Sequence, residues 1–174
     1  MIYGIMACDK NNLIGINNRI PWNSKNDMRF FKYITTKVEQ DGMYNVLIVG
    51  RKTFEGMPIN KMDCTNRRFI IMSRQKNHKT MNSCILGYIQ NIDEYKKYIN
   101  KNVNKIFIIG GKQVYEHALN SKKIDILYRT TIQGSVKVPH NEKGVYFNMN
   151  IECSEKEIIK EYPDCIIEKC ILSK

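Results

Sequence analysis

In the stretch "GINNRIPWNSKNDMRFFKYIT", residues 15–35, the side chain best suited to proton chemistry is Asp27. Phe30, Phe31 and Ile34 follow it at i+3, i+4 and i+7, so on a helix the carboxylate lies within the apolar face, beside Met28. Such a face turns toward a core or a cleft, where an unpaired charge costs roughly several kcal/mol. Something must compensate it, and a carboxyl held there has a raised pKa suited to acid–base work near neutrality. A structural reading competes. Ser24-Lys25-Asn26-Asp27 fits the [ST]-x-x-[DE] capping box, in which the acid reaches back to a backbone donor and favours the helix dipole. Both roles can coexist.

Three further segments combine an apolar run with an anion-binding end. In "KIFIIGGKQVYEHAL" the run ends at Gly110-Gly111, where backbone can approach a ligand, and a helix follows whose exposed N–H groups favour a phosphate. In "NVLIVGRKTFEGM" a strand meets Gly50, and Arg51, Lys52 and Thr53 open a short helix. In "RRFIIMSR" a strand ends at Ser73-Arg74, of the type that accepts a ribose 2′-phosphate where an acid would select a hydroxyl. Each alone is equally well a tight or solvated turn. Together they predict an extended phosphorylated ligand across one sheet edge, and the 2′-phosphate cue points to NADPH. The G-x-G-x-x-G fingerprint is absent, which disfavours an ordinary Rossmann dehydrogenase.

The elements that must position these residues read as alternating strands and helices. Strands are expected at Ile2–Cys8, Asn45–Val49, Arg68–Met72, Cys84–Leu86, Lys105–Ile109, Ile124–Ile132, Glu155–Glu161 and Cys165–Leu172. Helical patterns fall at Lys25–Thr35, Ile92–Ile99 and Gln113–Leu119, with a short turn at Thr53–Met57. This alternation predicts one α/β domain, residues 1–174, with a mostly parallel sheet covered on both faces. The last two strands, joined through Tyr162-Pro163 without a helix, should form an antiparallel hairpin at one edge. Ligands of such sheets bind at the carboxyl ends of the strands.

Composition narrows the function classes. The 174 residues are 43% hydrophobic and 26% charged, which is globular, and no apolar run approaches the roughly 20 residues that span a bilayer. The amino terminus lacks a basic n-region and does not read as a signal peptide. Six cysteines without C-x-x-C spacing, and the scattered His78, His117 and His140, argue against a metal site; the cysteines are expected to be reduced thiols of a cytoplasmic protein. The net charge of +11 would suit nucleic acid. The basic residues are dispersed as pairs such as Arg67-Arg68 and Lys96-Lys97, which favours a solvated surface instead.

The segments "IGINNRIPWNSKND", "VGRKTFEGM", "NRRFIIMSR", "IFIIGGKQVYEHAL" and "LYRTTI" resemble, in order and spacing, the dihydrofolate reductase family. Trp22 stands five residues before Asp27, the family's interval. The resemblance implies that family's fold, with an eight-stranded sheet and about four flanking helices, and NADPH-dependent reduction of 7,8-dihydrofolate to tetrahydrofolate. It also implies what compensates Asp27: the pterin, with Thr130 and a water held by Trp22 completing the network. Ile5, Met28, Phe31 and Met57 would line the substrate cleft, and Arg67 would take the glutamate α-carboxylate. Ile109 and Tyr115 would flank the nicotinamide. Ala7, Ile14, Gly15 and Ile20 would meet the cofactor, with Gly50, Arg51, Lys52, Thr53, Ser73 and Arg74. Gly110, Gly111, Lys112, Gln113 and Val114 would complete its site. The implied protein is a monomer, without metal, membrane or fused thymidylate synthase.

Two departures accompany the resemblance. Ser24-Lys25 stands where members often carry Pro, and "IQGSVKVPHNEKGVYF" after Thr131 lacks the acidic stretch that steadies the loop before Trp22 in relatives, so altered loop kinetics are expected. Two rival readings follow. A reductase of the same fold could act on a pyrimidine or another pterin, which a substrate screen separates. A basic nucleic-acid-binding protein without activity would show salt-sensitive RNA binding.

Overall fold

The computed structural model describes residues 1–75 and 82–174; His78 lies outside the described residues. Strands β1 (Ile2–Cys8), β3 (Tyr44–Gly50), β4 (Arg67–Met72), β5 (Ile85–Ile89), β6 (Val103–Ile108), β7 (Ile126–Ile132), β9 (Cys153–Glu161) and β10 (Cys165–Leu172) form one eight-stranded sheet. Its order is β5-β4-β3-β6-β1-β7-β10-β9. The first six pair in parallel, β10 runs antiparallel to β7, and β9 returns antiparallel to β10 at the edge. The expected parallel sheet and terminal hairpin are both present. Helices α1 (Lys25–Thr36), α2 (Arg51–Glu55) and α3 (Lys112–Asn120) flank it, with 3-10 turns at Ile59–Lys61 and Ile92–Tyr98.

The expected helix at 92–99 is thus a 3-10 segment, opened by a complete capping box between Asn91 and Glu94. A second sheet lies outside the expected set. Strands β2 (Leu13–Ile16) and β8 (Gly144–Tyr146) pair antiparallel. Each is short, and β8 has two of its three residues exposed, so neither shows the apolar alternation that marks a strand in sequence.

The core is built on both faces of the parallel strands. On one, Ile5, Leu47, Val49, Phe69, Ile71, Phe107 and Ile109 pack with Phe31, Ile34 and Met57. On the other, Met6, Val46, Ile48, Ile70, Ile108 and Leu127 pack with Val114, Tyr115 and Ala118 of α3. Alternate residues of β3 therefore serve opposite layers, which is why "VLIV" is continuously apolar. Each such side chain fully buried contributes roughly 1.5–3 kcal/mol.

Helix α1 is fastened to this frame at its carboxyl end. The buried Asn45 of β3 donates to Thr35 O at 2.8 Å and Lys37 O at 3.0 Å. Its own oxygen accepts from Asn104 Nδ2 and the Lys105 amide, at 2.9 and 3.1 Å. A buried amide satisfied on both sides rigidifies its surroundings, and this one ends the helix that carries Asp27.

One expectation about the cysteines is overturned. Cys64 and Cys84 form a disulfide, with Cα atoms 6.0 Å apart, while Cys8, Cys153, Cys165 and Cys170 are free. Cys84 immediately precedes β5 and Cys64 lies just ahead of Thr65 and Asn66, which lead into its parallel neighbour β4, where Phe69 pairs with Ile85, so the sheet brings together residues 20 apart in the chain. No helix among the described residues is long and apolar enough to cross a membrane.

Candidate active site

Asp27 lies in the first turn of α1 and is only 6% exposed. Half of the expected capping box forms: Ser24 Oγ accepts from the Asp27 amide at 3.1 Å. The carboxylate does not complete it. Instead it takes a hydrogen bond from the side chain of Thr130, on the facing strand β7. Burial pushes the Asp27 carboxyl above its ordinary value, Thr130 opposes the rise, and the charge of Asp164 adds to it. This is the partly compensated acid that the helical pattern required.

The register of β1 and β7 explains the constellation. Ala7 pairs with Thr130 and Ile5 with Tyr128, so Thr130, Tyr128 and Ile5 share the sheet face against which α1 packs. Phe30 meets the Tyr128 ring at 5.7 Å, and Phe31 and Met57 pack on the same cluster. Met28 is 48% exposed and Ile20 is 51% exposed, so both stand at the rim rather than in the wall. Tyr115, fully buried on α3, donates to Ile5 O at 2.5 Å, and desolvation pushes its phenol strongly upward so that it stays protonated. Trp22 Nε1 is buried and has no hydrogen-bond partner among the described residues.

Strand parity separates the two arginines. Arg67 is on the same face of β4 as Phe69 and Ile71, toward Phe31 and Met57, and is 2% exposed. Its guanidinium donates to Asp63 O at 2.7 Å and Thr35 Oγ1 at 3.2 Å, and desolvation lowers its pKa. Arg68 points the other way, donates to Cys64 O at 2.6 Å and covers the Tyr44 ring at 5.3 Å.

The three strand ends converge as the sheet order demands. Gly50 N donates to Gly110 O at 2.7 Å, and Ile109 N to Ile48 O at 3.0 Å, so β3 and β6 deliver α2 and α3 side by side. The glycines are needed for that approach. A Cβ on Gly111 would lie 2.6 Å from Thr53 Oγ1, and Gly110, at φ +109°, would bring one 2.9 Å from the Tyr115 ring. The Gly110-Gly111 peptide is cis. A cradle that a Cβ would fill, under two helix N-termini, fits the phosphates of a dinucleotide.

Not every expected cation is free to serve it. Arg51 pairs with Glu55 at 2.8 Å, and Lys112 with Glu116 at 3.8 Å. Lys52 and Arg74 are exposed and make no ion pair among the described residues. Ser73 Oγ accepts from the Gln75 amide at 3.1 Å, shaping the turn that presents Arg74. Lys112 and Gln113 are exposed at the start of α3, whereas Val114 is buried beneath Gly50, where a Cβ would meet it at 3.2 Å.

The segment after Thr131 is joined to the loop before Trp22 despite lacking the expected acids. Asp9 supplies the carboxylate from the other side: its Oδ1 accepts from the amides of Asn11 and Leu13, and its Oδ2 from Val136 N at 2.9 Å. The β2–β8 ladder pairs Gly15 with Val145, and Asn17 donates to Glu142 at 2.9 Å. Ile14 packs against the core from β2. Sequence reasoning passed over Asp9 and Asp164, because an acid in a turn looks like a solvated one until its acceptors find their donors.

A family model described as Dihydrofolate reductase matches residues 1–163. The chain is 31% identical to the dihydrofolate reductase of Enterococcus faecium over 93% of its own length and 86% of that protein. It is 33% identical to the bifunctional dihydrofolate reductase-thymidylate synthase of Paramecium tetraurelia over 84% of this chain and 28% of that longer one. In three dimensions it is similar to a dihydrofolate reductase from Enterococcus faecalis complexed with NADP(H) and RAB-propyl. The TM-score is 0.73 at 22% identity, covering 100% of this chain and 97% of the other. On the match of that family model to residues 1–163 and the 31% identity carried over most of both chains, the chain belongs to the dihydrofolate reductase family.

Proposed function

We propose that Asp27, Thr130 and Trp22 handle the proton in the family's NADPH-dependent reduction of 7,8-dihydrofolate to tetrahydrofolate. The single observation behind this reading is the buried Asp27 carboxylate on the Thr130 side of α1, with burial raising its pKa. A pterin presents ring N–H and amino donors, which an acceptor-only carboxylate in an apolar cleft suits. NADPH, when bound, supplies the hydride.

The remaining work falls to this chain's residues. Asp27 orients the pterin and favours its protonated form electrostatically, and a water held by Trp22 Nε1 carries the proton to the imine nitrogen. Ile5, Phe31 and Met57 exclude bulk water around the ring, with Met28 at the rim. Arg67, pre-oriented by Asp63 and Thr35, takes the tail carboxylate. Lys52, Thr53, Gly110, Gly111 and Gln113 take the cofactor phosphates, Arg74 with Ser73 takes the 2′-phosphate, and Ala7, Ile109 and Tyr115 border the nicotinamide. On this reading residues 1–174 act as one monomeric unit, whose basic surface serves solubility and anionic small molecules rather than nucleic acid.

The test is incubation with dihydrofolate and NADPH while absorbance at the NADPH band is followed, with and without a diaminopyrimidine inhibitor. Inhibitor-sensitive oxidation of NADPH is expected. Oxidation only with a tail-less pterin or a pyrimidine would move the assignment to another reductase of the same fold.

A further inference from the structure

The turn between β9 and β10 reaches the helix that bears the acid. Tyr162 N donates to Cys165 O at 2.8 Å, closing a turn with Asp164 at its tip. The Asp164 carboxylate accepts from Ser24 Oγ at 2.6 Å through one oxygen and from Asn26 Nδ2 at 2.7 Å through the other. Ser24 is the N-cap whose Oγ also holds the Asp27 amide at 3.1 Å. The backbone of the same residue holds the opposite wall, since Asp164 O accepts from Gln133 N at 2.9 Å, just beyond the end of β7.

We propose that Asp164 is a positioning residue for the reaction, setting from the tip of the terminal hairpin where Asp27 stands against Thr130. One residue grips both the start of α1 and the end of β7, the two elements whose separation decides whether the Asp27 and Thr130 side chains meet. The inference rests on the reading of Asp27 given above.

Electrostatics act in the same direction as the geometry. The hydrogen bonds from Ser24 and Asn26 hold the Asp164 carboxyl below its ordinary value, so it is ionised wherever Asp27 titrates. A fixed negative charge nearby makes the second carboxyl harder to ionise, and Asp164 does raise Asp27, after the larger effects of burial and Thr130. Among the described residues the Cys165 thiol of β10 and the Tyr115 phenol of α3 also interact with Asp27, and both are pushed upward by burial.

Asp164→Asn keeps an acceptor and removes the charge, Asp164→Ala removes both, and Ser24→Ala cuts the link. Two readouts are needed: the pH profile of turnover, and the titration of the Asp27 carboxyl followed by carbon NMR in the ligand-free protein. Asp164→Asn is expected to move the Asp27 titration and the matching limb of the profile to lower pH. Asp164→Ala, which also releases α1 from the end of β7, is expected to leave Asp27 titrating at higher pH than in Asp164→Asn, because the Thr130 contact that lowers Asp27 is loosened, and to cut kcat roughly tenfold, the size of a lost charged hydrogen bond, with KM for NADPH unchanged. Ser24→Ala, which keeps the Asp164 charge and cuts the link, is expected to cut kcat and to move the Asp27 titration to higher pH as the Thr130 contact loosens. Identical Asp27 titrations in Asp164→Asn and Asp164→Ala, or a lowered melting temperature in Asp164→Ala with parental kcat and profile, overturn the proposal. Because the NMR titration needs no turnover, it stays decisive even if Asp27→Asn were to retain full activity and the reading of Asp27 itself were to fail.

Discussion

The Asp27 carboxylate meets the side chain of Thr130 across the gap between α1 and β7 instead of returning to the backbone at Ser24. The acid is thus turned from its own cap toward the sheet face that carries Thr130, Tyr128 and Ile5.

Asp27→Asn is therefore expected to cut turnover at pH 7 by roughly 10²–10⁴-fold, the range for a lost acid–base group. Partial recovery at low pH is expected, where the substrate protonates itself. Steady-state kinetics from pH 5 to 8 check this, and a parental rate at neutrality would end the assignment.

The same substitution should stabilise the fold. Burial raises the folded-state pKa of Asp27 above the ordinary 3.8, so the native state binds that proton more tightly than the unfolded chain. Stability from this group is present below the unfolded value and is lost as pH rises through the folded one. Asp27→Asn should melt above the parent at pH 7, and the difference should close as the pH approaches and passes below 3.8. Calorimetry at several pH values gives the sign directly.

Arg74 is exposed and makes no ion pair among the described residues, beside a Ser73 that shapes its turn. Arg74→Ala should weaken NADPH binding roughly ten- to a hundredfold, one or two charged hydrogen bonds, and leave NADH binding as it is. Fluorescence titration with both nucleotides separates a 2′-phosphate contact from a general loss.

Arg67 is buried and pre-oriented, so truncation would leave Thr35 and Asp63 without their donor. Arg67→Lys keeps the charge and loses the fork. The expected result is a KM for dihydrofolate raised about tenfold or more, with an unchanged KM for a reduced pterin that lacks the glutamate tail.

Asp9 accepts three backbone amides from two segments and is 1% exposed. Asp9→Ala should lower stability by roughly 1–3 kcal/mol for the donors it strands. It should also free the loop before Trp22, so that single-turnover hydride transfer and steady-state turnover change by different factors. Chemical denaturation and stopped-flow kinetics check the two halves separately.

Much of this architecture was legible along the chain because its signals are local. The helical spacing of Asp27, Phe30, Phe31 and Ile34 displayed an acid on an apolar face, and apolar runs ending in Gly50 and Gly110-Gly111 marked the strand ends. Backbone sterics and periodicity act over a few residues, so the sequence shows them directly. The strands that escaped, β2 and β8, are short pieces whose order comes from each other, 128 or more residues apart at Ile16 and Gly144.

What the residues alone determined is that an acid would need a partner and that phosphates would find glycine-flanked helix starts. Only the tertiary structure decided which partners: Thr130 for Asp27, Asp164 for Ser24, Val136 for Asp9, and Cys84 for Cys64. The physical reason is range. A pattern of hydrophobicity is set by neighbours in sequence, whereas a hydrogen bond or a disulfide is set by atoms within a few ångströms in space, and it is the sheet order that brings those atoms together.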